Sequence, residues 1–93
     1  MLSDVEISRT LNALATTLRE QRPPEFDAGR AEQIVTGALA GENKISARGT
    51  SSATGELRTR EGDRVIAVVE LRDGQWTVDR KLRAGESSWA LPR

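Results

Sequence analysis

Cysteine, histidine and tyrosine are absent from this 93-residue chain, and its aromatic side chains are only Phe26, Trp76 and Trp89. Without cysteine there are no disulfides and no thiolate metal ligands. Without histidine the commonest neutral metal ligand and the usual general base are gone, so a zinc centre is excluded. The shortage of aromatics leaves the core to Leu, Ile, Val and Ala, with a thin margin of stability that self-association would supplement. No apolar run approaches the roughly 20 residues needed to span a bilayer. The chain begins Met1-Leu2-Ser3-Asp4, acidic where a secretory leader would be basic. The expectation is a cytoplasmic protein with no membrane partner, no cofactor and no metal. Lysine is scarce as well, two residues against 12 arginines. Genomic base composition and a need for bidentate carboxylate or phosphate contacts both explain that skew.

At 37% hydrophobic and 30% charged, the chain is apolar enough to fold, and its length supports one core and no second. Hydrophobic spacing of three and four residues gives way to alternation near Gly41, which predicts two helices followed by a strand meander. Ser3 and Glu6 have the spacing of a capping box. Ile7, Leu11, Leu14 and Leu18, with Ala15 beside them, form one apolar stripe on a helix from Ser3 to Gln21, and Thr10, Asn12, Thr16 and Arg19 fall off it. Arg22-Pro23-Pro24 stops that helix. Asp27 caps a second one, Ala28 to Ala40, with Phe26 as a hydrophobic staple on Ala31 and Gly41 as the stop. Its apolar face, Ala31, Ile34, Val35, Ala38 and Leu39, is rich in small residues.

Four strands are expected: Lys44 to Arg48, Glu56 to Arg60, Arg64 to Arg72 and Gln75 to Leu82. The third is the strongest, with Val65, Ala67, Val69 and Leu71 on one face and Ile66 and Val68 on the other. Asp73-Gly74 is a two-residue hairpin signal, and Glu61-Gly62-Asp63 makes the preceding turn. The segment from Gly49 to Gly55 is polar and small, and is expected to be a mobile loop. It lacks the GxxxxGK[ST] arrangement of a phosphate loop. The predicted fold is α+β: two N-terminal helices packed on one face of a four-stranded antiparallel β-meander, residues 1–85, with a C-terminal tail over 86–93.

The formal net charge of zero hides an asymmetry. Residues 1–42 hold four arginines against seven acids, whereas residues 43–93 hold ten basic groups against seven acids. Strand alternation would send Lys44, Arg48, Arg58, Arg60, Arg64, Arg72 and Lys81 to the sheet face away from the helices. Such a face could hold a nucleic-acid backbone through Arg48, Arg58, Arg60, Arg64 and Arg72. Against this, Glu56, Glu70 and Asp79 share the face and could pair across strands, and no aromatic is there for a base to stack on. Ile66 and Val68 would form an apolar centre within that arginine rim, and Trp89 and Leu91 give the tail two large apolar groups. Those four residues are the candidate protein interface.

For catalysis the best cluster is Glu20, Glu25 and Asp27, which serve more simply as a helix cap and as favourable charge at a helix start. A helix-turn-helix is disfavoured by the two prolines and by a second helix with only Arg30 for reach. The expected function is non-enzymatic: a small protein-interaction or regulatory module that self-associates as a homodimer or docks on another protein. The alternative is a nucleic-acid-binding accessory protein that uses the basic sheet face.

Overall fold

The computed structural model describes residues 2–81, so the expectations for Leu82, Trp89, Leu91 and a tail over 86–93 lie outside the described residues. Helix α1 spans Asp4–Gln21 and α2 spans Ala28–Ala38; strands β1 (Ile45–Ser51), β2 (Thr54–Thr59), β3 (Val65–Arg72) and β4 (Gln75–Arg80) follow. The strands form one antiparallel sheet in the order β1-β2-β3-β4. The two helices lie side by side on one face, α2 against β1 and α1 against β4. This is the α+β architecture expected from the change of period.

Local chemistry sets the helix ends. The capping box closes, with Ser3 Oγ accepting from the Glu6 N–H and Glu6 accepting from the Ser3 N–H. Asp27 Oδ1 accepts the Arg30 N–H at the start of α2. Helix α2 stops at Ala38, two residues before the expected Ala40, because Ala40 turns left-handed at φ 57°. Gly41 N–H then donates to Thr36 O and Ala40 N–H to Gly37 O, the paired bonds of a Schellman close.

The core comprises Leu11, Leu14 and Leu18 of α1, Ala31, Val35 and Leu39 at α2, and Ile45, Leu57, Ile66, Ala67, Val69 and Trp76 of the sheet. Thr10 lies inside it too, fully buried, and its hydroxyl has no hydrogen-bond partner among the described residues. The expected off-stripe position is corrected because α1 packs on both α2 and β4, and that broadens its buried face beyond a single stripe.

The segment from Gly49 to Gly55 is not a mobile loop. β1 runs on to Ser51 and β2 starts at Thr54, which makes a tight hairpin in which the Thr50 and Ser51 hydroxyls each bond that of Thr54. Gly49 and Gly55 face each other across the strands, and the Phe26 ring sits in the notch they leave. A Cβ on Gly55 would collide with that ring, so the glycine is there for close approach. The interhelical turn is thereby fastened to the sheet. Phe26 N–H donates to Ser52 O at 2.7 Å, Trp76 Nε1 donates to Pro23 O at 2.8 Å, and the Phe26 and Trp76 rings lie 6.3 Å apart.

Candidate interaction face

The face of the sheet away from the helices is built from all four strands, and a bulge in β3 decides what it displays. Leu57 pairs with Ala67 but Arg58 pairs with Val65, which leaves Ile66 as the extra residue. A bulge breaks the pleat alternation locally. Ile66 and Ala67 are accordingly both buried in the core, at 8% and 0% exposure. The expected outward position of Ile66 is therefore corrected. Val65, expected in the core, sits beside Arg58 on the open side, is half-buried and is not among the core residues. The apolar centre of the open face is Val65 with Val68, the latter flanked by Glu56 and Asp79. The run Val65-Ile66-Ala67-Val68-Val69 is apolar throughout, so nothing in it marks the slip.

Around this centre the cations are largely neutralised. Arg58 Nε donates to Glu56 at 2.6 Å, and its Nη1 reaches Asp63 at 3.3 Å. The hydrogen bond that Arg58 donates to Glu56, reinforced by the charges of Glu56 and Asp63, holds the guanidinium proton more tightly than usual. Arg72 pairs with Glu70 at 2.7 Å. The Arg58–Glu56 and Arg72–Glu70 pairs each join residues two apart on one strand, in place of the expected cross-strand arrangement. Arg48 and Arg64 are exposed and make no ion pair among the described residues.

Two of the expected outward cations bend to the helical layer. Arg60 donates to Glu32 of α2 at 2.9 Å and to Asn43 at 3.0 Å, while Lys44 meets Glu42 at 2.9 Å and Glu6 of α1 at 3.5 Å. Both residues lie just beyond strand ends, where pleat alternation no longer dictates direction. The Ser3 N–H, with Lys44, holds Glu6 below its ordinary pKa, and Glu42 holds Lys44 above its own.

No family model, curated protein or solved structure matches this chain. The open face therefore has to be read from its own chemistry. Of the expected interface residues, Val68 is on it, Ile66 is beneath it, and Trp89 and Leu91 lie outside the described residues. Of the expected phosphate-contacting residues, Arg48, Arg58 and Arg72 belong to strands that form it, Arg64 lies at the turn before β3, and Arg60 is turned away. In the former carboxylate cluster, Asp27 is occupied as the α2 cap, and Glu20 and Glu25 are exposed. Among the described residues no cluster of three or more acids, histidines or cysteines could hold a metal ion, and no helix is long and apolar enough to cross a membrane.

Proposed function

We propose that this protein is a non-enzymatic interaction module that self-associates and uses its open sheet face to dock on another protein. The observation that carries the reading is the placement of Val65 and Val68 on a face whose Arg58 and Arg72 are matched by Glu56, Asp63 and Glu70. An apolar centre with a charge-balanced, arginine-containing rim suits a protein surface. A nucleic-acid backbone would require those guanidiniums to exchange carboxylates for phosphates. The second reading, nucleic-acid binding, is supported by Arg48 and Arg64, which are exposed and without an ion pair among the described residues.

Titration with mixed-sequence DNA and RNA at low and high salt separates the two. The module reading expects no binding beyond weak attraction at low salt. Tight, salt-sensitive binding that disappears in an Arg48→Glu/Arg64→Glu variant would replace it with the nucleic-acid reading.

A further inference from the structure

The two edges of the sheet are finished differently. On β1, the outward Ala47 N–H donates to Glu32 Oε2 at 3.0 Å, so α2 lays a carboxylate along that edge. Charge at an edge strand blocks the addition of another strand. On β4 the polar groups are open. Arg72 and Gln75 flank a two-residue turn, with φ 50° at Asp73 and 78° at Gly74, and Lys81 N–H donates to Ile66 O at 2.8 Å. Bonding to β3 therefore falls to Gln75, Thr77, Asp79 and Lys81. Trp76, Val78 and Arg80 direct their N–H and C=O groups away from the sheet, with no partner among the described residues.

We infer that the β4 edge pairs antiparallel with β4 of a second copy, about a two-fold axis at Thr77, so that one sheet runs through both. This rests on the self-association in the functional reading above and specifies its surface. In that register Trp76 lies opposite Val78 of the second copy, and they exchange the outward backbone bonds, since both belong to the outward-facing set. Gln75 meets Asp79, and Thr77 meets itself. A hydrogen-bonding pair thus falls in register on the open face.

The helical layer leaves room for the second strand. Asp4 reaches Arg80 of β4 at 2.7 Å, whereas Glu6 reaches Lys44 before β1, so these two residues mark opposite flanks of α1. Helical spacing puts Ser8 and Ala15 on the flank of Asp4, above the β4 edge, and both are small. Val5 and Asn12 stand next to them; Val5, 65% exposed, is the large apolar side chain left in solvent among the described residues. A second α1 approaching across the axis would cover it. The open face around Val65 and Val68 stays free on both copies, as the docking reading requires.

Sedimentation of the wild type, Thr77→Lys, Thr77→Glu, their equimolar mixture and Val68→Asp tests the inference, with circular dichroism confirming that each is folded. The wild type is expected to be a dimer. Each Thr77 variant should dimerise about fivefold more weakly at low salt, because like charges then stand directly opposite, and mixing the two should restore the dimer. Val68→Asp should leave it unchanged. A dimer that ignores Thr77 but is lost in Val68→Asp overturns the edge pairing and leaves self-association standing. A wild-type monomer overturns both.

Discussion

The Glu32 carboxylate and the Ala47 N–H, 15 residues apart in the chain, meet at 3.0 Å on the edge of the sheet. The other carboxylate oxygen takes the Arg60 guanidinium at 2.9 Å, so one side chain ties α2 to both β1 and the end of β2.

Glu32→Ala should therefore cost about 1–2 kcal/mol, as expected for loss of hydrogen bonds to a charged group that is partly exposed. It should also open the β1 edge to added strands. Chemical denaturation reads the first effect, and a concentration-dependent rise in scattered light reads the second. A variant as stable and as disperse as the wild type would remove Glu32 from this role.

The β3 bulge gives two neighbouring apolar residues opposite fates. Ile66→Asp places a carboxylate in the core and should destabilise the domain by more than about 3 kcal/mol, enough to unfold a domain of thin margin. Val68→Asp, on the open face but between Glu56 and Asp79, should cost less, about 1–2 kcal/mol from the opposed like charges and the lost β-branched side chain. Thermal melts of the two variants decide the point, and equal destabilisation would mean that the strand alternates without a bulge.

These two results also mark what was legible in the sequence and what was not. Helices, strands and the Asp73-Gly74 turn were readable because each is written in local spacing: the Ser3/Glu6 box, the Leu11, Leu14, Leu18 stripe, and the alternation through Val65 to Leu71. The bulge was not, because sliding one residue within five consecutive apolar side chains leaves the pattern unchanged. Glu32 at the β1 edge and Phe26 in the Gly49/Gly55 notch were hidden for another reason. Both depend on how α2 and its preceding turn lie across the sheet, which no local window contains. The open face was half legible: Val68 was placed, whereas Val65 was assigned to the core.

Thr10 is the one buried side-chain polar atom without a partner among the described residues. Replacing it with valine keeps the shape and removes the unpaired hydroxyl, so Thr10→Val should raise stability by about 1 kcal/mol. For a domain of this size that is about 4–8 °C in Tm. A lowered Tm would show that the hydroxyl has a partner.

Acid should weaken the N-terminal end of α1. Glu6 has its pKa held below the ordinary 4.5, first by the Ser3 N–H and then by Lys44. A depressed carboxylate contributes stability that is fully present above its unfolded-state value and is lost as pH falls through the folded value. The contribution should thus be intact at neutral pH and fade from about pH 4.5 downward. Glu6→Gln should be less stable than the wild type at neutral pH, and the gap should close on acidification. A gap that does not vary with pH would contradict the assignment.

The most direct test of the functional account is the solution mass of the purified protein by light scattering, at low and high salt, with its nucleic-acid absorbance ratio. A self-associating interaction module gives twice the 10.2 kDa chain mass at both salts and carries no nucleic acid. A monomer that arrives with nucleic acid and releases it in salt would contradict the account.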